Sequence, residues 1–331
     1  MNFSEILKKY NLDKERDKKA IPSRVYFNHF NAINYYLQSN SEKYNLKKVH
    51  FYNNIKIKND SFDIDSCRKL LWNSWSTEYA FLMTAQSENN EYHKFALHWH
   101  FPQIYYSIYL NMTAFHETQG CANDNHEASI KLFGNSIKDK HYPKAISFFA
   151  SGLHNGFNYR GLESFVSFPK SFSSLEKIHS LEDAEMQIAK FLQSTREQNA
   201  LNKRKRGAKE HAKQKDFQNK KGELIKNFTK KHWDKIYTSI PETTLLNIIY
   251  RLRIKANYHD IETFINADID FKLFHEYLAN IVQYLNFVHE AYIHKAIGDD
   301  NYRKILEDFR GHVNEERAKF RYQELILNVK N

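Results

Sequence analysis

The sequence predicts a mainly α-helical protein built around a helical bundle. Only 9 Gly and 5 Pro occur among the 331 residues, which leaves little of the turn chemistry that many short strands need. Apolar residues instead recur at helical spacing along most of the chain. With 25 Phe and 21 Tyr, the chain has enough bulky side chains to fill a sizeable core. At this length we expect two domains, or one domain that carries a long insertion.

Composition restricts the class of protein further. Two cysteines, Cys67 and Cys121, are too few for a disulfide framework and match no metal-binding spacing. The charged N-terminus lacks the apolar stretch of a signal peptide, and no apolar run approaches the roughly 18 residues of a membrane span. We therefore expect a soluble, cytoplasmic protein with no membrane partner. The formal net charge of +10 and the pI of about 9.2 favour a polyanionic partner such as RNA.

Residues 1–65 are predicted to form an N-terminal extension. Residues 1–20 suit a charged helix that ends near Pro22, because proline disfavours helix at the residue before it. A second helix follows over residues 23–38. Residues 47–62 alternate apolar and polar side chains on either side of two asparagines, which predicts a small β-hairpin.

Residues 66–140 are predicted to form the first half of the bundle. Asp65 is suited to cap a helix that is rich in Leu and Trp. Residues 93–119 form a helix with a wide aromatic face, and Pro102 should kink this helix or mark its start. A shorter helix is predicted over residues 126–137.

Histidines are frequent in this half of the bundle. On a helix, His98 and His100 would lie about 200° apart and would not easily share one ion. No HExxH pattern accompanies them. We therefore expect structural histidines and no metal site or other cofactor. The histidines concerned are His93, His98, His100, His116 and His126.

Residues 141–240 are predicted to be a long insertion. The first part, 141–180, holds much of the Gly and Pro of the chain and suggests an irregular connection with a short helix at its start. A helix over residues 181–198 follows. The basic tract 203–221 then holds nine Lys or Arg against two acidic residues. It is either a solvated linker or a phosphate-binding segment that adds affinity without base specificity.

Residues 241–331 are predicted to form the second half of the bundle and a C-terminal helix. A helix begins after Pro241, and its apolar face is formed by Leu245, Ile248, Ile249 and Leu252. A long helix over residues 271–297 carries a heptad-like apolar stripe. Such a stripe packs inside a bundle or against a partner subunit.

The residues after Leu252 carry the strongest candidate for chemistry. Arg253 and His259 are separated by five residues. A metal-free ribonuclease needs a group that holds a phosphate oxyanion and a group that moves a proton near neutral pH. An ideal helix would separate the pair by about 9 Å and about 600° of rotation. The side chains therefore converge only if the helix is interrupted near Asn257 or if two protomers meet. The alternative is a solvated basic helix face followed by a surface histidine.

Four segments resemble, in this order, helices of the HEPN family of nucleotide-binding helical bundles. They are YYSIYLNMTAF (105–115), NHEASIKLFGN (125–135), LRIKANYHDIETF (252–264) and FHEYLANIVQYLNFV (274–288). The resemblance covers residues 70–140 and 240–298. It implies a HEPN-like bundle in which residues 1–65 and 141–240 are additions.

The resemblance also implies an activity. Many HEPN proteins of toxin and antiviral-defence systems cut RNA with an Arg-x4–6-His motif, which Arg253 and His259 match. It implies a metal-independent endoribonuclease that acts as a homodimer with a composite cleft. His259 would be the general acid or base, Arg253 would stabilise the phosphate charge, and Asn257 would orient Arg253 or a phosphate oxygen. The basic residues expected to bind the RNA backbone are Arg251, Lys255, Lys203, Arg204, Lys205, Arg206 and Lys209.

Two other functions remain open from the sequence. A nucleic-acid-binding or regulatory module without chemistry would use the same basic residues only to hold phosphates. A helical partner-binding protein, such as an antitoxin or an adaptor, would use the stripe on residues 271–297 as its interface. Salt-sensitive RNA binding without cleavage distinguishes the first from an enzyme, and a stable complex with another protein distinguishes the second.

Overall fold

The structure is a computed structural model that describes residues 3–207, 214–259 and 262–310, together with residues 321 and 323. Side chains are described in the same ranges except at residues 3–14, 16, 259, 265 and 310. The helices are α1 (Phe3–Ser39), α2 (His50–Asn53), α3 (Ile64–Ala85), α4 (Asn90–Thr118), α5 (His126–Lys138), α6 (Leu181–Arg206), α7 (Lys230–Thr238), α8 (Leu245–Ile254), α9 (Glu262–Ile265), α10 (Phe271–Ile297) and α11 (Asp299–Arg310). A π-helical turn, Lys255–His259, continues directly from α8.

Three short strands form a small antiparallel sheet. They are β1 (Phe149–Leu153), β2 (Gly156–Arg160) and β3 (Thr243–Thr244). The strand order is β2-β1-β3, and Phe149 pairs with both Arg160 and Thr244. The prediction of a mainly α fold with a small β-hairpin is confirmed.

Helix α4 lies at the centre of the bundle. It packs against α3, α8 and α10, and the π-helical turn also lies against it. Phe101, Tyr105 and Met112 of α4 are fully enclosed. Aromatic side chains supply much of this core, as expected from the composition. The end of α8 therefore meets the middle of the central helix of the bundle.

The hairpin lies elsewhere than predicted. Residues 46–53 form a 3₁₀ turn and the short helix α2, so the predicted hairpin over residues 47–62 is wrong. The buried side chains there are Leu46, Val49, Tyr52 and Ile55. They recur every third residue, which is the period of a tight helical turn rather than of a strand. The alternation that suggested strands did not correspond to burial.

Two prolines lie inside helices. Helix α1 continues through Pro22, so the predicted end of the first helix at that point is wrong. An internal proline removes one backbone hydrogen bond and costs about 3 kcal/mol. The neighbouring Ala20 and Ser23 are buried, and α1 packs against α6 and α10, so tertiary burial offsets this cost. Pro102 likewise lies within α4, which begins twelve residues earlier at Asn90 after its capping residue Asn89.

Residues 141–240 share the main core. Phe148, Ile188 and Phe191 of this region belong to the same buried cluster as α1, α4 and α10. Arg196 of α6 is 2% exposed and donates hydrogen bonds to the carbonyl oxygens of Gly152 at 2.9 Å and Pro241 at 2.8 Å. It thereby ties α6 to the hairpin and to the start of α8. The domain boundaries at residues 65, 140 and 240 remain a prediction.

A buried ionic network links α3, α10 and the C-terminal segment. Glu78 and Glu290 are 3% and 1% exposed. The guanidinium of Arg321 donates to a carboxylate oxygen of Glu78 at 2.7 Å and of Glu290 at 2.6 Å. Asn286 donates to Glu78 at 2.6 Å, and Tyr302 donates to Glu290 at 2.7 Å. One cation and several neutral donors therefore hold two buried carboxylates.

Several histidines are buried as neutral rings, and two of them, His100 and His116, belong to the set that the sequence predicted to be structural. Burial lowers the pKa of His29 and His289 to about 3, and that of His116 to about 4. His100 and His275 pack with ring centroids 4.2 Å apart. Burial is also the main reason why the pKa of His275 falls to about 4 and that of His100 falls well below its usual value. These rings are packing elements that stay uncharged at neutral pH.

Candidate functional site

Helix α8 positions Arg253. The helix begins with a capping box between Thr244 and Asn247, and its predicted apolar stripe is fully buried, with Leu245, Ile248, Ile249 and Leu252 each at most 1% exposed. Because this stripe fixes the rotation of the helix, the next residue, Arg253, is directed towards α4. The predicted position of the helix is confirmed.

Arg253 is a buried cation enclosed by tyrosines. The residue is 7% exposed, and its Nη2 donates to the hydroxyl of Tyr106 at 2.9 Å. The guanidinium carbon lies 4.9, 4.8 and 5.5 Å from the ring centroids of Tyr105, Tyr106 and Tyr250. We call these three residues the tyrosine cage. Aromatic faces attract a cation, which offsets part of the cost of burying it.

The guanidinium is not fully satisfied by protein groups. Its Nε and Nη1 atoms are buried without a hydrogen-bond partner. Across the described residues, Arg253 forms no ion pair with a carboxylate. A buried charge is ordinarily paired. Among the described residues, the positive charge at the end of α8 therefore has no carboxylate as counter-charge.

His126 lies on the other side of the tyrosine cage. It is the first residue of α5, and its ring centroid is 5.4 Å from that of Tyr105 and 6.0 Å from that of Tyr106. Its Nδ1 lies 2.9 Å from the Tyr105 hydroxyl. In the tautomer whose Nδ1–H donates to that hydroxyl, Nε2 keeps a free lone pair that can accept a proton.

The electrostatics of the site keep His126 neutral. Burial lowers its pKa, and the positive charge of Arg253 lowers it further. The imidazole is half-buried, so it still reaches solvent. An uncharged imidazole beside a cation is the protonation state that a general base requires.

The end of the helix that carries part of the basic tract reaches the same place. Arg206, the last residue of α6, forms an ion pair with Glu127, the neighbour of His126. Burial raises the pKa of Tyr250, and the charges of Arg253 and Arg206 both act on this group. Among the described residues of the basic tract 203–221, Arg206 is thus linked to the Arg253 site, defined here as Arg253, His126 and the tyrosine cage.

Most of the other predicted RNA-binding residues contact the protein itself. Arg251 donates to the hydroxyls of Ser194 and Thr195 at 3.0 and 3.1 Å. The guanidinium carbon of Arg204 lies 4.3 Å from the ring centroid of Phe228. Lys203 donates to the carbonyl oxygen of Ser239 at 3.0 Å.

The remaining basic candidates are placed less closely. Lys205 is exposed on the last turn of α6, and Lys255 is half-buried on the π-helical turn. Lys209 lies outside the described residues. The predicted basic set is therefore spread over several surfaces, and its role in RNA binding stays a prediction.

The π-helical turn holds the rest of the predicted motif. The regular α-helix ends at Ile254, so the interruption that convergence within one protomer requires is present. Asn257 is half-buried within the turn. His259 closes it, and its side chain lies outside the described residues. π-Helical turns often occur at functional sites.

Sequence reasoning missed the tyrosine cage and the position of His126. Tyr105 and Tyr106 were predicted as core residues and His126 as a structural histidine. One local signal was available, because Tyr250 precedes Arg253 by three residues and must share its helix face. The contacts from α4 and α5 come from residues more than 100 positions away, and nothing local to Arg253 indicates them.

Comparison with known proteins adds no family to this description. No protein-family model, curated protein or solved structure matches the chain. In the part of the chain that the structure describes, no three side chains of the metal-binding types are grouped to hold an ion. None of the described helices is long and apolar enough to cross a membrane.

Proposed function

We propose that the protein is a metal-independent endoribonuclease of HEPN type that uses Arg253, His259 and Asn257 together with His126. The observation that carries this proposal is the buried Arg253 guanidinium, which has two unpartnered nitrogens and a neutral imidazole, His126, close by. A buried charge that lies among ionisable side chains is a functional-site candidate. The resemblance of residues 252–264 to an RNA-cutting motif gives the charge a substrate class.

The chemistry requires two proton transfers and one stabilised charge. One imidazole takes the proton of the ribose 2′-hydroxyl, and the 2′-oxygen then attacks the phosphorus atom. The bond to the 5′-oxygen breaks, and a second imidazole returns a proton to that oxygen. The products are a 2′,3′-cyclic phosphate and a free 5′-hydroxyl. The reaction requires no metal ion and no oxidant or reductant.

The residues divide these roles as follows. Arg253 stabilises the negative charge that develops on the phosphate oxygens. His126 is uncharged at neutral pH and suits the base. His259 suits the acid, contributed by the same protomer or by the second protomer of a homodimer. The phosphate approaches Nη2 of Arg253, where it replaces the hydroxyl of Tyr106 as the acceptor.

The test is cleavage of labelled RNA in the presence of EDTA. We expect the wild-type protein to cut RNA despite chelation, and the Arg253→Ala and His259→Ala variants to lose about 10²–10³-fold in rate. Circular dichroism should show that both variants keep their helical content. His50→Ala is the matched control, because His50 is exposed and lies on α2, away from the Arg253 site.

Two other outcomes would decide against an enzyme. RNA binding that weakens with salt but is not followed by cleavage supports a non-catalytic nucleic-acid-binding module. A stable complex with another protein, and no RNA affinity, supports a regulatory or antitoxin-like partner protein. Full activity of both variants would also contradict the proposal.

A further inference from the structure

Helix α4 carries an exposed aromatic stripe near its start. Tyr92, Phe95 and Trp99 are 48%, 61% and 59% exposed. Large aromatic side chains are usually enclosed, and the rest of α4 forms the centre of the core. The spacing of three and four residues places all three on one face of the helix. This stripe is a surface feature that the fold does not need.

The aromatic stripe leads to the Arg253 site. Tyr106 lies seven residues after Trp99, about 10 Å further along the axis and within about 60° of the same face. It is 36% exposed, and its hydroxyl accepts the hydrogen bond from Arg253. Tyr258, 67% exposed, lies on the π-helical turn that packs against α4. Exposed aromatic faces thus continue up to the unpaired cation.

This arrangement has the two features that single-stranded nucleic acid requires. Bases of any sequence stack on aromatic side chains, and a positive charge holds the backbone. About three stacked nucleotides, at roughly 3.4 Å each, span the distance from Trp99 to Tyr106. An apolar protein surface would cover the stripe but would leave the charge of Arg253 unmatched. Charge complementarity therefore favours a polyanion.

We propose that the α4 stripe, Tyr92, Phe95 and Trp99, is a stacking platform for single-stranded RNA whose backbone enters the Arg253 site. This inference rests on the proposed function, because it assigns the substrate of that site as unpaired RNA. Bases on the strand next to the scissile phosphate bind Trp99 and Phe95. Duplex RNA, whose bases are already stacked on one another, does not bind the stripe.

The test measures binding separately from cleavage. The probe is a fluorescein-labelled, single-stranded 2′-O-methyl RNA of twelve nucleotides, which lacks the 2′-hydroxyl that cleavage needs. We expect Trp99→Ala to weaken binding about 5- to 100-fold, the range for loss of one stacked base. The slope of affinity against salt should stay the same, because no phosphate contact is removed.

Two further variants complete the design. Trp99→Phe should keep most of the affinity, because the phenyl ring still stacks, while the quenching of tryptophan emission that the probe causes in the wild type should disappear. Leu175→Ala is the matched control for an exposed apolar side chain away from α4 and should bind as the wild type does.

The outcomes separate the two proposals. Binding and quenching by the 2′-O-methyl probe without cleavage of natural RNA would remove the proposed enzyme but keep the stacking platform. Equal affinity of Trp99→Ala and wild type, or no binding by the wild type, would overturn the platform. A third outcome would also overturn the platform. If Trp99→Ala converted a dimer into a monomer and each chain kept the same affinity for the RNA probe, the stripe would be the contact between two copies of the protein.

Discussion

The Arg321→Met variant is expected to lose about 3–5 kcal/mol of unfolding free energy. Methionine keeps the aliphatic bulk of the side chain but leaves Glu78 and Glu290 buried without their cation. The carboxylates are too enclosed to be hydrated, so they must either stay charged at a high cost or take up a proton. Chemical denaturation at pH 7.5, followed by circular dichroism, measures the loss.

Two variants check that the loss comes from the unpaired carboxylates. Arg24→Met removes an exposed ion pair, in which the side chains of Arg24 and Asp268 are 36% and 69% exposed. This variant should lose less than about 1 kcal/mol of unfolding free energy. Adding Glu78→Gln and Glu290→Gln to Arg321→Met should recover part of the stability, because the buried charges are then gone. An Arg321→Met protein within 1 kcal/mol of the wild type would contradict this account.

Acidification from pH 7.5 to pH 5 is expected to unfold the protein. His29, His116, His275 and His289 have pKa values of about 3 to 4 in the folded state, against about 6.5 in an unfolded chain. A lowered folded pKa means that the unfolded state binds protons more readily, so stability is complete above pH 6.5 and falls below it.

The expected size of the effect is large. Each of these imidazoles removes about 1.4 kcal/mol per pH unit once the pH is well below 6.5. Four of them remove roughly 8 kcal/mol between pH 7.5 and pH 5, which is comparable to the whole stability of an ordinary domain. Burial raises the pKa of Glu117 and Glu185, and these groups act in the opposite direction. Two carboxyl groups offset only part of the loss.

The groups around the buried histidines do little to stabilise the charged form of these rings. Besides burial, the charges of Arg251 and Lys190 lower the pKa of His29, and His116 acts in the same direction on His289. No carboxylate is among the groups that act on these two rings. Among the described residues, protonation of these two rings therefore meets no compensating negative charge and has to be accompanied by opening of the core.

Denaturant titrations between pH 7.5 and pH 5.5 measure this dependence. The slope of unfolding free energy against pH should approach an uptake of about four protons. The double variant His29→Asn/His289→Asn should reduce it by about two, and His50→Asn, at an exposed position, should not change it. A free energy of unfolding that is the same at pH 7.5 and pH 5.5 would contradict the prediction.

Long helices with regular apolar stripes were predictable from the sequence. The last long helix was predicted over residues 271–297 and has these limits in the structure. Asp270 caps its start by accepting from the backbone of Leu273, and Gly298, with a φ of 85°, ends it. For this helix, the residues at its ends and the buried apolar stripe indicate the same limits.

Where the packing of an element conflicts with its local sequence pattern, the element could not be predicted in this way. Pro22 suggested a helix end, but the packing of α1 outweighs the lost hydrogen bond. The true hairpin contains Asn155-Gly156, a strong turn signal, yet Gly152 in its first strand and the polar residues around it masked the alternation. The Asn-Gly turn signal was therefore present in the sequence, but the glycine and polar residues around it concealed the strand pattern.

The candidate site was predictable only in part. Arg253 was found because its charge follows a strict apolar stripe. Its environment was not, because the tyrosine cage joins α4 and α8, which are far apart in sequence. The same applies to Arg206, which was grouped with a basic tract and instead reaches His126 through Glu127. The local sequence shows which residue types could act in the site. Which of these residues contact one another depends on the packing of the whole bundle.

The packing of α1 has a consequence for how the chain is made. Its main partners α6 and α10 begin at Leu181 and Phe271, so α1 is synthesised well before the helices that cover most of it. Phe30 packs against Phe101 of α4 and Phe191 of α6. At synthesis rates of about 5–20 residues per second, it waits roughly 8 s or more for the second of these partners to be made. Contacts of this sequence separation also slow folding. Incomplete chains therefore expose the apolar face of α1, where a chaperone would bind and where such chains would aggregate.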